Sequence, residues 1–146
     1  MRSYFEEEQL GLRLDVEELE AYMARSEEPT VLVVEDETFV RMIAADALAE
    51  SGFQVLEAPD AVEALDLLEK HQVAVVFTDI NMPGAIDGLE LADIVAKRFP
   101  RVKVIITSGK QWLEPDELPD DSLFLPKPYR PKQLAKLVEQ QARRAV

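Results

Sequence analysis

The stretch VVFTDINMPG, residues 75–84, decides the fold, because an apolar run ends there on a single carboxylate. Asp79 follows the run at once, and Met-Pro-Gly then turns the chain. An uninterrupted apolar run is typical of a strand covered on both faces, as in a parallel sheet flanked by helices. The stretch therefore predicts an α/β fold with Asp79 at the carboxyl end of a buried strand.

Apolar runs and helical patterns alternate on both sides of this strand. Five strands are predicted, at residues 30–34, 54–58, 73–78, 102–107 and 122–125. The first helix is marked by one apolar face that stops at Gly52, formed by Val40, Ile43, Ala44, Ala47 and Leu48. The second follows Pro59 and has the face Ala61, Ala64, Leu65 and Leu68; the third and the last are predicted at 88–99 and 131–144. Between the fourth and fifth strands, two prolines allow only a short helix, at about residues 115–118.

Composition excludes several classes of protein. The 29 acidic residues against 16 basic ones give a net charge of -13, which disfavours nucleic acid as a partner. The chain has no cysteine, so disulfides, thiolate metal sites and a cysteine nucleophile are excluded. It has no apolar run of about 18 residues and no signal-peptide pattern, so we expect no membrane contact and a cytoplasmic location.

The first 28 residues differ in composition from the rest, with nine acids and three arginines before Pro29. We therefore predict an acidic N-terminal arm at 1–28 and one domain at 29–146. Val16, Leu19 and Met23 recur at helical spacing after Asp15, which is a suitable N-cap. A partly ordered, solvated tail is the favoured interpretation; a helix that binds a partner or dimerises is the alternative. We expect a monomer or a weak homodimer.

Polar residues terminate the predicted strands: Glu35 and Asp36 the first, Asp79 the third, Ser108 the fourth and Lys127 the fifth. In an open α/β sheet, ligands bind beyond the carboxyl ends of the strands. Each residue alone has a plainer explanation: Asp36 as an N-cap, Asp79 and Ser108 as turn residues, Lys127 as a surface cation. Together they predict one site.

The charges of this predicted site favour a metal. Glu35, Asp36 and Asp79 bring three negative charges against the single Lys127. Oxygen ligands without histidine or cysteine suit a hard cation, and Mg²⁺ is the physiological choice that joins carboxylates to a phosphate. We predict that Asp36 binds Mg²⁺ directly, Glu35 through water and Asn81 through its backbone carbonyl.

A carboxylate beside a metal can act as a nucleophile toward phosphorus and form an aspartyl phosphate. Asp79 is the predicted acceptor. The hydroxyl of Ser108 would bind one phosphoryl oxygen and Lys127 another.

Four ordered stretches, VLVVEDE (31–37), DINMPGAIDGLEL (79–91), VIITSG (104–109) and LPKPY (125–129), resemble the receiver domain of two-component response regulators over about residues 30–144. The resemblance implies a flavodoxin-like, doubly wound, five-stranded parallel sheet of order 2-1-3-4-5, an order that is given for this fold in general. It also implies a phosphohistidine donor on a histidine kinase or a histidine phosphotransfer protein, within a phosphorelay.

The resemblance also implies residue roles. Asp79 would accept the phosphoryl group, Glu35 and Asp36 would form the acid pocket, and Ser108 and Lys127 would bind phosphoryl oxygens. Ser108 and Phe124 would be the switch residues, Lys127-Pro128 would be a cis peptide, and Asn81 and Lys110 would tune hydrolysis of the phosphate. The protein would be a phosphoacceptor that catalyses its own phosphorylation and dephosphorylation, not an enzyme acting on other substrates.

The chain departs from the family in its shortened fourth helix and in the loop MPGAIDG (82–88), which is one residue longer than the commonest form. Because it ends with the last predicted helix, we expect a stand-alone, single-domain receiver whose downstream target the sequence does not name. Trp112, in the shortened region, either contacts a partner or anchors the core. His71, at the end of the second helix, is expected on the surface.

Two other functions compete with the phosphoacceptor. An aspartyl-phosphate phosphohydrolase generally needs a second aspartate two positions after its nucleophile, where Asp79 has Asn81 and Asp36 has Thr38. A pseudo-receiver would bind partners without phosphorylation, which the presence of all five site residues disfavours.

Overall fold

The computed structural model describes residues 15–20 and 28–144. Its strands β1 to β5 are Thr30–Val34, Gln54–Ala58, Val75–Asp79, Lys103–Ser108 and Ser122–Pro126. Its helices α1 to α4 are Thr38–Glu50, Ala61–Lys70, Gly88–Arg98 and Pro131–Arg144, with a 3₁₀ turn at Pro115–Glu117. Within these described ranges, no helix has the length and apolarity needed to cross a membrane.

The five strands form one parallel sheet of order β2-β1-β3-β4-β5, which confirms the predicted topology. The winding direction reverses between β1 and β3, so their carboxyl ends face an open crevice. β3 is buried along its whole length, as its unbroken apolar run predicted.

The core has two layers, one on each face of the sheet. Alternate residues of β1 divide between them: Leu32 and Val34 pack toward α2 and α3, whereas Val31 and Val33 pack toward α1 and α4. Each fully buried aliphatic side chain contributes about 1.5–3 kcal/mol by leaving water. Both layers hold β1 and β3 rigidly beneath the crevice.

Strand and helix positions follow the sequence closely. β1, β2 and α4 have the predicted bounds, and α2 begins after its N-cap Asp60. β3 begins two residues later than predicted, because Val73 and Ala74 are apolar residues that precede the first paired position, Val75. The Ala74 N–H still donates to the Thr30 carbonyl at 2.9 Å and its carbonyl accepts from the Lys103 N–H at 3.0 Å, so apolarity alone does not mark where the strand begins.

One expectation for α1 is wrong. Ile43 was placed on the buried face but is 55% exposed, since α1 turns Ala44, Ala45 and Leu48 toward the sheet. The plainer explanation of Asp36 as an N-cap does not hold either, because Glu37 takes that position and its side chain makes no cap hydrogen bond. Asp36 is therefore left exposed on the loop before the helix.

The segment between β4 and β5 contains one 3₁₀ turn in place of a full fourth helix, as predicted. Trp112 does not anchor the core there, because its side chain is 69% exposed and the neighbouring Leu113 is the buried one. The Trp112 ring instead meets Phe124 edge-on, with 5.8 Å between ring centroids. His71 is the exposed C-cap of α2, as expected.

Only a short piece of the acidic arm is described. Residues 16–20 are helical, and the Asp15 carboxylate accepts a hydrogen bond from the Glu18 N–H at 2.8 Å, which confirms Asp15 as an N-cap. Met23 lies outside the described residues. The arm and the domain boundary at 28/29 stay predictions.

Gly88 lies where its backbone approaches β3 closely. Its N–H donates to the Ile80 carbonyl at 2.9 Å, and an added Cβ would lie 1.9 Å from the Asp79 carbonyl oxygen. We expect Gly88→Ala to lower the free energy of unfolding by at least about 2 kcal/mol, because this backbone clash outweighs alanine's better helix propensity. Urea denaturation measures the change.

Gly109→Ala is the matched control, since a Cβ there would meet Lys127 Cβ at an ordinary 3.6 Å. We expect it to stay within about 0.5 kcal/mol of the wild type. Equal stability of the two variants would show that α3 moves away from Asp79 without penalty.

Candidate functional site

The predicted polar residues meet at the crevice between the carboxyl ends of β1 and β3. The β1–α1 loop supplies Glu35 and Asp36, and the last residue of β3 is Asp79. One carboxylate oxygen from each of these three lies within 4.8 Å of the others. Glu35 and Asp79 are buried, whereas Asp36 is exposed.

Lys127 closes the site from the end of β5. Its Nζ donates to Glu35 Oε1 at 3.0 Å and to Asp79 Oδ2 at 3.3 Å. Its backbone N–H donates to the Ser108 carbonyl at 3.1 Å, so the β4–β5 pairing fixes where the side chain begins. The Lys127-Pro128 peptide is cis.

Burial and charge oppose each other in this site. Burial raises the pKa of the Glu35 carboxyl above its ordinary value, and the adjacent Asp36 adds to the rise, although the hydrogen bond from Lys127 counteracts it. Burial alone would lower the pKa of Lys127, but its hydrogen bond to Glu35 and the charge of Asp79 raise it. Lys127 is therefore held firmly in its charged form.

Ser108 is an acceptor for three hydrogen bonds. Its Oγ receives the backbone N–H groups of Lys110 at 3.1 Å and Gln111 at 3.2 Å, and the side-chain amide of Asn81 at 3.3 Å. The turn role considered for Ser108 is thus present in the structure. All three contacts use the oxygen as acceptor, which leaves its O–H available to donate.

Asn81 and Phe124 are predicted site residues whose contacts are with other neighbours than the three carboxylates. Asn81 offers its side chain to Ser108, and the predicted role of its backbone carbonyl stays a prediction. Phe124 pairs with Ile106, two residues before Ser108 on β4, and packs on the α2–α3 face of the sheet. Its role as a switch residue likewise stays a prediction.

Two neighbours of the site were not predicted from the sequence. The guanidinium of Arg41 donates to the Glu35 backbone carbonyl at 2.7 Å. Tyr129 packs edge-on against Phe77, and burial, together with the nearby negative charges, raises the pKa of its hydroxyl. Tyr129 lies within LPKPY, two residues after Lys127, which was the available signal; Arg41 had none.

The residues present fit a hard divalent cation. Asp79 Oδ1 is buried and has no hydrogen-bond partner among the described residues, although buried carboxylate oxygens are nearly always paired. Three carboxylates converge on that region, and Lys127 compensates only one of their three charges. A cation bound by oxygen ligands would satisfy both the orphan oxygen and the excess negative charge.

Fold and site together define a doubly wound α/β domain with an acidic, lysine-closed crevice at its topological switch point. The family model of the response regulator receiver domain matches residues 31–139. The chain belongs to this family, as its four motifs indicated.

The chain is also similar in sequence and in structure to known proteins that contain receiver domains. The sensor kinase CckA of Brucella abortus is 41% identical over 116 residues, which cover 76% of this chain and 12% of the kinase. A receiver protein of Sinorhizobium medicae superposes with a TM-score of 0.76 at 26% identity, covering 83% of this chain and 99% of that one. The NtrX receiver domain of Brucella abortus gives 0.70 at 29% identity, covering 77% and 98%.

The chain spans only a small part of its curated relatives, from 12% of CckA to 40% of the regulatory protein PdtaR of Mycobacterium tuberculosis. The membership therefore concerns the receiver domain. The activities of the whole relatives are not transferred.

Lys127→Met tests the electrostatic balance of the site. At neutral pH we expect the free energy of unfolding to fall by about 1.5–3 kcal/mol, because Glu35 and Asp79 lose their charge-assisted hydrogen bonds. Without Lys127 the pKa of Glu35 rises further. The deficit should therefore shrink as the pH is lowered toward 4.5, the ordinary value for Glu35, where protonation removes the need for a cation.

At alkaline pH the same deficit should persist up to 10.5 and fade only as Lys127 loses its proton at its raised pKa. Urea denaturation at several pH values gives the profile. Lys132→Met, on the exposed surface of α4, is the control and should change stability by less than about 0.5 kcal/mol at every pH. A pH-independent deficit for Lys127→Met would contradict the electrostatic account.

Proposed function

We propose that this protein is a phosphoacceptor of a two-component phosphorelay, in which Asp79 takes a phosphoryl group from a phosphohistidine. The observation that carries the proposal is the position of Asp79: it is buried at the end of β3 and held 3.3 Å from Lys127 Nζ, beside Glu35 and Asp36. Receiver domains of response regulators interact with histidine kinases, so the donor is a histidine kinase or a histidine phosphotransfer protein. The cytoplasmic location expected from the sequence is part of the proposal.

In the proposed step, a carboxylate oxygen of Asp79 attacks phosphorus. The P–O bond forms as the P–N bond to the donor imidazole breaks, and the imidazole keeps the electron pair and gains a proton from solvent. The Ser108 O–H donates to one phosphoryl oxygen, while Lys127 pairs with another. The product is an aspartyl phosphate, which a water molecule later hydrolyses to the carboxylate and inorganic phosphate.

Receiver domains generally bind Mg²⁺, and the residues that would hold it here are Glu35, Asp36, Asp79 and the backbone of Asn81. When bound, the ion supplies positive charge that neutralises the phosphoryl oxygens. Two observations support this assignment: Asp79 Oδ1 has no partner among the described residues, and carboxylate oxygens of Glu35, Asp36 and Asp79 lie within 4.8 Å of one another.

The competing functions gain no support from the structure. A phosphohydrolase needs an acid–base group two residues after the nucleophile, but the Asn81 amide does not titrate and is bonded to Ser108. A pseudo-receiver does not need three separate chain segments to bring the acceptor Asp79, the acid pocket and Lys127 together.

Phosphorylation with acetyl phosphate and Mg²⁺ tests the acceptor. We expect a shifted band on a phosphate-affinity gel for the wild type, and none for Asp79→Asn, because the amide is not a nucleophile toward phosphorus. Chelating the metal should abolish the band in the wild type.

Asp66→Asn is the matched control, an exposed aspartate on α2 that pairs with Lys70 at 3.0 Å. It should be phosphorylated as the wild type is. Undiminished phosphate uptake by Asp79→Asn would refute the assignment.

A surface beside the acid pocket suits the protein donor. Phe39, Met42 and Ile43 form an exposed apolar stripe on the first turns of α1, and Phe39 is 79% exposed. α1 begins two residues after Asp36, so the stripe borders the crevice that the phosphohistidine must enter. We propose that this stripe binds the donor.

The double variant Phe39→Ala with Ile43→Ala tests donor binding. We expect the rate of phosphotransfer from a protein donor to fall by about ten-fold, because apolar contacts at an interface centre carry much of its affinity. Phosphorylation by acetyl phosphate should be unchanged, since that small donor needs no such surface.

Val62→Ala is the control, because Val62 is an equally accessible apolar residue on α2, 67% exposed. It should leave both rates unchanged. A loss of both rates in the double variant would mean that the substitutions disturb the pocket itself.

A further inference from the structure

Arg41 connects the acid pocket to the body of the domain. It lies on α1, and its Nη1 donates to the Glu35 backbone carbonyl at 2.7 Å while its Nε donates to Glu57 Oε1 at 3.2 Å. Glu57 belongs to β2, the strand next to β1. One guanidinium thus joins the β1–α1 loop, α1 and β2, and it is mostly buried, with a side chain 16% exposed.

The acceptor of this bond is the carbonyl that links Glu35 to Asp36. A hydrogen bond to a carbonyl fixes the plane of its peptide group. The plane of the Glu35–Asp36 peptide in turn sets the direction in which the Asp36 side chain points. The Glu35 N–H is already held by the Ala58 carbonyl at 3.1 Å. With Arg41 in place, both the N–H and the carbonyl of Glu35 are fixed.

The Arg41 bond is the charge-assisted one of the two, and such bonds are shorter and stronger than neutral ones. Asp36 itself is exposed, and on its other side the Glu37 N–H donates to Glu35 Oε2 at a longer 3.3 Å. Arg41 therefore makes the shorter, charge-assisted contact, at 2.7 Å, to the peptide that precedes the proposed metal ligand Asp36.

We propose that Arg41 is a positioning residue for the acid pocket: it orients the Glu35–Asp36 peptide so that both carboxylates face Asp79. The inference rests on the proposed function, in which these carboxylates hold Mg²⁺. Arg41 touches neither metal nor phosphate in this role. The separate bond from Arg41 Nε to Glu57 joins α1 to β2 and is not part of this role.

Charge and position make opposite predictions for Arg41→Ala. Removing a cation near a metal site would by charge alone tighten Mg²⁺ binding. Releasing the loop would weaken binding, because groups that orient metal ligands typically contribute 10–100-fold in affinity. A purely structural role, joining α1 to β2, would lower stability and leave the Mg²⁺ affinity unchanged.

The experiment is a calorimetric titration of the full chain with Mg²⁺ alone, together with urea denaturation without metal. We expect Arg41→Ala to weaken Mg²⁺ binding by about ten-fold, and Arg41→Lys, which keeps the charge and one donor, to weaken it by about three-fold. Glu57→Gln is the matched control: it leaves the bond between Arg41 and Glu35 in place, so the affinity should change by less than about two-fold.

Unchanged or tighter Mg²⁺ binding by Arg41→Ala would overturn the inference, and so would equal weakening by Glu57→Gln. If Arg41→Ala does not fold, Arg41→Lys decides by the same criteria. A wild type that binds no Mg²⁺ would refute the proposed metal site and this inference with it. Normal binding by both the wild type and Arg41→Ala would refute this inference alone.

Discussion

The contact of the Lys127 ammonium with Glu35 and Asp79 is the interaction on which the site depends. Two buried carboxylates this close repel each other, and burying them without a cation would be strongly unfavourable. Lys127 reaches both only because β5 pairs with β4 and β4 pairs with β3, which places the ends of all three strands at one edge. The sheet topology is thus a condition for the charge arrangement.

The charges in this site do not balance. One ammonium faces three carboxylates, Asp79 Oδ1 has no partner among the described residues, and burial raises the pKa of Glu35. A domain selected only for stability would replace such a cluster by apolar residues. A shortage of positive charge is retained where a positively charged ligand can relieve it, and this pattern is expected at a functional site.

The sequence predicted the parts of this structure that depend on pattern. Buried parallel strands read as continuous apolar runs, and the residue at each strand end is then fixed at one edge, so Glu35, Asp79 and Lys127 could be placed together. Details set by side-chain packing could not be predicted. Ile43 fits an apolar helical face, but it is exposed, whereas the adjacent Ala44 is buried. The hydrogen bond between Arg41 and Glu57 joins residues sixteen apart and depends on the rotamers of both side chains.

Ser108 connects the proposed phosphate site to an exposed aromatic surface. Its Oγ holds the N–H groups of Lys110 and Gln111, and the next residue, Trp112, packs on Phe124. If the Ser108 hydroxyl turns toward a phosphoryl oxygen, its acceptor lone pairs turn with it. The hydrogen bonds from the Lys110 and Gln111 N–H groups must then lengthen, or the backbone that carries these groups must move. A 3₁₀ turn resists such a shift less than a full helix would, because it has fewer backbone hydrogen bonds to break. Residues 109–111 therefore connect Ser108, at the proposed phosphate site, to the Trp112–Phe124 pair.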